Sequence, residues 1–144
     1  MDERPPPATG HSLVPHTADL IIEAWGPTRL ECMEEAARAL MDAFARVADV
    51  AVTEPVPVEL EQNGDEELLV SLLEEIIYMI DVLAEIPVNV ALNETEDGRV
   101  TGHVSVAPLG VVEIHGSLPK GVSRSDLSVS HDREQWRCRA MIDV

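Results

Sequence analysis

Two aspartates stand in apolar strand patterns, where aspartate is unusual. Asp19 begins an apolar stretch directly after His16-Thr17-Ala18, and Asp143 closes an alternating apolar segment at the other end of the sequence. Because strand interiors are depleted in aspartate, each position calls for solvent exposure, a turn or a bound cation. Terminal strands of a small sheet often pair, and two carboxylates brought together repel unless a proton or cation intervenes. An oxygen-only pair would select Ca²⁺ or Mg²⁺ over zinc.

The other motifs that carry chemistry are absent from the sequence. It has no Gly-rich phosphate loop, no G-x-S-x-G elbow and no H-E-x-x-H. Serines near His131 and Asp132 have no spacing that supports a catalytic triad. A structural or surface role is therefore expected for each of the five scattered histidines, His11, His16, His103, His115 and His131.

The only two cysteines show no zinc spacing. Cys32 lies in an amphipathic helix pattern and Cys138 in an alternating strand pattern. We expect both to be small core residues in a reducing compartment, with no disulfide framework and no thiol catalysis.

The sequence is strongly acidic, with 27 Asp and Glu against 10 Lys and Arg and a net charge of −17. Nucleic-acid affinity rests on a basic surface that neutralises phosphates, so direct binding of RNA or DNA is not expected. Two interpretations stay open: the negative charge only keeps the protein soluble, or it attracts a basic partner, such as a nucleic-acid enzyme or a cation. No apolar run approaches the roughly 20 residues that span a bilayer. The N-terminus has no secretory h-region, which predicts a cytoplasmic protein without a membrane segment.

The size of the chain predicts one domain behind a short leader. Residues 1–11, with Pro5, Pro6 and Pro7 in a row, are predicted to be a disordered Pro-rich leader. Residues 12–144 are long enough for a single core. Since only 3% of the residues are aromatic, that core must consist mainly of aliphatic side chains.

Two amphipathic helices are predicted. The first opens at Thr28-Arg29-Leu30-Glu31, which fits a capping box. Its buried stripe is predicted to be Leu30, Met33, Ala37, Leu40, Met41, Phe44 and Val47. The second is predicted from about Glu66 to Ala84, with an apolar set of Leu69, Leu72, Leu73, Ile76, Ile77, Ile80 and Leu83.

The remaining segments favour strands. Ala18–Trp25 alternates before the Gly26-Pro27 break, and Val56–Leu60 is predicted to be an edge strand because Pro57 cannot donate to a ladder. From Pro87 onward the pattern is one of strands and turns. Together these elements predict an α+β fold with two helices packed on a mostly antiparallel sheet.

Three blocks in this order resemble the archease family. The first is Pro15-His16-Thr17-Ala18-Asp19-Leu20 with Trp25-Gly26 and Leu30-Glu31 after it, the second is the helix Leu69–Asp81, and the third is Met141-Ile142-Asp143-Val144. The resemblance runs from about residue 13 to residue 144. It implies the archease fold as a single domain.

The resemblance also implies a function. Archeases are small acidic metal-binding proteins that act as non-catalytic cofactors of RtcB-type RNA ligases in tRNA splicing and RNA repair. They promote guanylylation of the ligase by GTP and support its multiple turnover.

The family's site residues map onto this sequence one by one. Metal binding is implied for Asp19 and Asp143, with a main-chain or terminal oxygen of Val144 as a further ligand. Ca²⁺ is the expected ion, with Mg²⁺ or Mn²⁺ as alternatives. Lys120 and His16 are the further functional residues implied. The sequence departs from the family at Ser123-Arg124-Ser125, where a Thr-Tyr-His-like run is usual.

Three other functions are kept as alternatives. A metal-dependent hydrolase would use Asp19 and Asp143 to hold its ion and would turn over substrate alone. A chaperone-like module would offer an acidic surface or a hydrophobic groove to many partners and would tolerate loss of either aspartate. The third alternative is a purely structural metal site in a protein with an unrelated role.

Overall fold

The computed structural model describes residues 8–14, 19–46, 50–60 and 63–144. Within these ranges the chain forms two helices, α1 (Arg29–Asp42) and α2 (Asp65–Asp81), and a single 3₁₀ turn at Leu109–Val111. The strands are β1 (Gly10–Val14), β2 (Asp19–Gly26), β3 (Ala45–Arg46), β4 (Val56–Glu59), β5 (Glu85–Glu94), β6 (Val100–Pro108), β7 (Glu113–Ile114), β8 (Gly121–His131) and β9 (Trp136–Asp143).

The strands divide into two main sheets and a short ribbon. One sheet has the order β1-β2-β9-β8, the second has the order β4-β6-β5, and β3 pairs with β7. Every strand pair is antiparallel. The α+β prediction is confirmed, and so is the edge position of β4, which carries Pro57. The structure differs from the prediction in having two main sheets rather than one. Each helix contacts both sheets, because α1 packs on β2 and β5 and α2 packs on β5 and β8.

Strand β1 begins at Gly10, two residues before the predicted start of the folded domain at Ser12. Gly10 and His11 pair with Trp25 and Ala24 in the β1–β2 ladder. A Cβ added to Gly10 would lie 2.6 Å from a ring carbon of Trp25, so glycine leaves room for the indole. Gly10 and His11, the last two residues of the predicted leader, therefore belong to strand β1. Residues 1–7 of that leader lie outside the described residues.

The core is aliphatic, as the composition predicts. The side chains of Met33, Leu40, Leu69 and Leu73 are fully buried. Helix α1 begins where predicted, because the Thr28 hydroxyl caps it by accepting a hydrogen bond from the Glu31 amide at 3.2 Å. Val47, predicted at the end of the first buried stripe, lies outside the described residues. Nowhere in the described chain is a helix both long and apolar enough to cross a membrane.

Helix α2 ends three residues before its predicted end at Ala84. The last helical residue is Asp81, and Ala84 has a positive φ of 53°. This left-handed residue turns the chain into β5, so Leu83 leaves the helix face and is 46% exposed. The prediction that Leu83 belongs to the apolar set of this helix is therefore wrong.

Ala84→Gly is expected to raise the free energy of unfolding by about 0.5–1 kcal/mol, because glycine adopts a positive φ without a Cβ clash. Urea denaturation measures the change. Ala91→Gly is the matched control, since Ala91 is exposed in β5 with an ordinary φ. That substitution should cost about 0.5–1 kcal/mol. Equal losses in both variants would contradict the assignment of backbone strain to Ala84.

Candidate functional site

The two aspartates singled out by the sequence face each other across a strand pair. In the β2–β9 ladder Asp19 is the register partner of Asp143, at the end of both strands. Side chains directly opposite each other in an antiparallel pair share one face, with Cβ atoms about 4.5–5.5 Å apart. Asp19 is half-buried and Asp143 is exposed. Like charges directly opposite each other in a ladder are destabilising, and a cation between them would reverse this effect.

Lys120 lies at the same edge of the sheet. Its amide donates a hydrogen bond to the carbonyl oxygen of Asp143 at 2.7 Å, and the next residue, Gly121, pairs with Asp143 in the β8–β9 ladder. A Cβ added to Gly121 would be 3.8 Å from Oδ2 of Asp143, so this carboxylate leans over the start of β8. Lys120 is the only lysine of the chain, and its side chain is exposed. The fold thus brings the three predicted residues Asp19, Asp143 and Lys120 to one edge.

Asp19 and Val144 border a pocket of about 180 Å³ at this edge. The rest of its wall is formed by the C-terminal end of α1 and the segment before β8, with the lining residues Leu20, Leu40, Ala43, Phe44, Ser117 and Pro119. The last turn of α1, all of which is described, carries no basic side chain. The helix C-terminus contributes roughly half a negative charge, so the pocket favours a cation.

The donor set fits a hard divalent ion. Asp19 and Asp143 offer carboxylate oxygens, and Val144 offers main-chain oxygen beside them. Across the four described ranges no group of three or more His, Cys, Asp and Glu side chains could hold an ion together. A cation at this edge would therefore combine two carboxylates with main-chain oxygens and water. His16, the other residue predicted to be functional, lies outside the described residues.

The segment that departs from the family pattern turns toward α2. Arg124 forms a two-pronged ion pair with Glu67, with Nη2 and Oε2 3.2 Å apart. The Glu67 carboxylate raises the pKa of the Arg124 guanidinium. The β8–β9 register is interrupted between Ser123 and Ser128, and Asp126 has a positive φ of 62°. Sequence reasoning missed this link, because the residues of a long-range ion pair carry no local signal.

His11 has a structural contact outside this edge. Its Nδ1 lies 2.8 Å from a carboxylate oxygen of Glu35, and its Nε2 lies 3.2 Å from one of Asp42. Both carboxylates belong to α1, so His11 fastens β1 to this helix.

Residues 11–144 match the Archease protein family. Over 141 residues the chain is 36% identical to a "probable protein archease" of Mycobacterium tuberculosis, which covers 98% of this chain and 78% of that protein. Over 134 residues it is 24% identical to the protein archease of Methanosarcina barkeri, covering 90% of this chain and 92% of that protein.

Two solved structures share the fold. A crystal structure from Thermotoga maritima, described as "an archease, possible chaperone", aligns with a TM-score of 0.63 at 18% identity and covers 100% of this chain and 99% of that one. The solution structure of Methanobacterium thermoautotrophicum protein 1598 aligns with a TM-score of 0.62 at 20% identity, covering 94% and 99%. At these identities the likeness bears on the fold alone, and both structures agree with the α+β architecture.

Proposed function

Because the chain belongs to the archease family, we propose that it is a non-catalytic cofactor of an RtcB-type RNA ligase. In this role it promotes guanylylation of the ligase by GTP and its multiple turnover in tRNA splicing and RNA repair. The register pairing of Asp19 with Asp143, beside Lys120, is the observation that supports a dedicated functional edge. The description of the Thermotoga maritima protein as a "possible chaperone" fits an action on another protein.

Asp19 and Asp143 are the proposed metal ligands, with main-chain oxygen of Val144 as a third donor. The expected ion is Ca²⁺, with Mg²⁺ or Mn²⁺ as alternatives. When bound, the ion would neutralise the charge of the facing carboxylates and would offer open coordination positions to further oxygen ligands. Asp19, half-buried at the pocket wall, fixes one side of the site, whereas exposed Asp143 can also meet a partner.

Charge supports docking onto a ligase rather than onto RNA. With a net charge of −17, the protein is repelled by a phosphate backbone and attracted to the basic surface that surrounds a nucleotide site. Such complementarity speeds the encounter more than it tightens the complex. Lys120 is the one lysine in this acidic surface, and it stands where the partner would approach Asp143. We propose a cytoplasmic location, because GTP and the RNA ends to be joined are found there.

The test is a guanylylation assay with a cognate RtcB-type ligase, GTP and a divalent metal. Covalent GMP on the ligase is followed with and without substoichiometric amounts of this protein. Faster labelling and more than one labelled ligase per molecule of added protein are expected. No stimulation of an active ligase would refute the proposal. Turnover of a substrate by this protein alone would instead favour the metal-dependent hydrolase.

Lys120→Ala is expected to lower the stimulation about tenfold or more, because removing one partner of a charge pair that becomes buried in a complex costs about 2–5 kcal/mol, and about 1.4 kcal/mol is already a tenfold effect. Arg133→Ala is the matched control, since Arg133 is an exposed cation in the β8–β9 turn. Amine-reactive labelling gives a second readout, because Lys120 is the only side-chain amine. Labelling of Lys120 should be suppressed in the complex with the ligase. If Lys120 labels equally in the complex and Lys120→Ala stimulates normally, it has no role at this edge.

A further inference from the structure

The two cysteines of the chain meet in the core. Cys32 on α1 is 1% exposed and Cys138 on β9 is 4% exposed. Although 106 positions separate them in sequence, their Sγ atoms are only 3.4 Å apart. Both lie beside Ala24 of β2, whose carbonyl oxygen is 3.5 Å from the Cys32 sulfur and which pairs with Cys138 in the ladder.

The packing around this pair holds the sulfurs close. A Cβ added to Gly26 would lie 2.9 Å from the Cys32 amide nitrogen, so the first turn of α1 rests directly on the end of β2. The backbone of α1 is therefore fixed against the sheet that contains β9. A disulfide bond is about 2.05 Å long, so bond formation requires the sulfurs to close by roughly 1.4 Å. The proposed bond therefore requires the two side chains to rotate toward each other.

We propose that Cys32 and Cys138 are a modification site, at which peroxide forms a reversible intramolecular disulfide between α1 and β9. The site is separate from the Asp19–Asp143 edge. It also differs from the sequence expectation of two independent core thiols, because only the fold brings the sulfurs together.

The environments of the two thiols set the order of the steps. The hydrogen bond between the two sulfurs lowers the pKa of Cys32, helped by the positive charge of Arg137 and opposed by burial. The same hydrogen bond and burial raise the pKa of Cys138, which stays protonated. Cys32 is therefore the thiolate that reacts first, and Cys138 is the resolving thiol.

The reaction balances with one peroxide. The Cys32 thiolate attacks one peroxide oxygen, the O–O bond breaks, and Cys32 becomes a sulfenic acid as hydroxide leaves. The Cys138 sulfur then attacks the sulfenic sulfur, and water leaves with the Cys138 proton. Two thiols are oxidised to one disulfide, and the peroxide is reduced to two waters. Cys138 borders a surface depression of about 230 Å³ that Cys32 does not line. Peroxide therefore has to pass Cys138 to reach the Cys32 sulfur, which lies 3.4 Å from the Cys138 sulfur.

The test exposes the folded, full-length protein to hydrogen peroxide and then blocks remaining thiols under denaturing conditions. Non-reducing peptide mass spectrometry should find one linked pair of peptides, containing Cys32 and Cys138, two hydrogens lighter than their sum. The product should be monomeric, and dithiothreitol should restore both thiols. A crosslink that closes so long a loop should raise Tm by at least about 5 °C.

Three results would overturn the proposal: both thiols persist, the cysteines become sulfinic acids separately, or the disulfide joins two molecules. Cys138→Ala is the control for the thermal shift, because it keeps Cys32 but has no resolving thiol. In that variant Cys32 should advance beyond sulfenic acid and Tm should not rise. The peptide result comes from the wild-type protein, so it decides the question even if this variant folds poorly.

Discussion

Asp143→Asn is expected to abolish both the stimulation of the ligase and the stabilisation of the protein by Ca²⁺. Asparagine keeps the shape of the side chain but removes the charge that faces Asp19 across the β2–β9 ladder. At a Ca²⁺ concentration 100 times the Kd, the wild-type protein should gain about 2.7 kcal/mol. For a domain of this size that is a rise in Tm of roughly 5–10 °C. The variant should gain little, and Asp19→Asn should behave in the same way.

Without metal the sign of the effect is reversed. The wild-type protein then carries two facing carboxylates, so Asp143→Asn should be as stable as the wild-type protein or slightly more stable. Thermal unfolding in chelator and in Ca²⁺, together with the guanylylation assay, measures all three effects. This combination distinguishes a lost metal ligand from general damage to the fold, which would lower Tm in both buffers.

Glu96→Gln is the control for charge. Glu96 is exposed in the turn between β5 and β6, so the substitution changes the net charge by the same amount away from the edge. It should keep full Ca²⁺ stabilisation and full stimulation of the ligase. The metal assignment fails if Asp143→Asn retains the Ca²⁺-dependent rise in Tm. A chaperone-like function gains support if that variant also stimulates normally.

Phe44→Ala is expected to lower the free energy of unfolding by about 3–5 kcal/mol, a large part of the 5–15 kcal/mol of a typical domain. Phe44 is the only phenylalanine of the chain and is 1% exposed. It lies two residues after the end of α1 and lines the pocket shared by Asp19 and Val144. Its carbonyl oxygen accepts a hydrogen bond from the His115 amide at 2.7 Å. Truncation leaves a cavity between the helix end and the candidate site.

Tyr78→Ala is the matched aromatic control, because Tyr78 is 48% exposed on α2. Its loss should change stability by less than about 1 kcal/mol. Urea denaturation of both variants gives the comparison. Similar losses would mean that Phe44 does not anchor the core beneath the pocket. Phe44→Leu, which refills most of the volume, should recover much of the stability and of the Ca²⁺ response.

Local physics explains why much of the fold could be predicted from the sequence. The Thr28 hydroxyl caps α1 through an amide three residues away, and the prolines around β4 exclude it from a sheet centre. Apolar periodicity predicted both helices, because residues three or four positions apart in the sequence lie on the same face of a helix. Asp19 and Asp143 could be recognised individually, because aspartate is unusual in an apolar strand pattern.

Only the tertiary structure decided which distant residues meet. The register of β2 and β9 makes Asp19 and Asp143 partners, and a slip by one residue would turn their side chains to opposite faces. The Cys32–Cys138 contact depends on the seating of α1 on β2, and the Arg124–Glu67 pair depends on the irregular course of β8. Such contacts produce no periodic pattern in either segment of the sequence, because they are stabilised by packing between elements and not by interactions between neighbouring residues. Leu83 is a further example. Apolar periodicity would extend α2 to Leu83, but the chain turns at Ala84, which has a positive φ, and Leu83 is exposed.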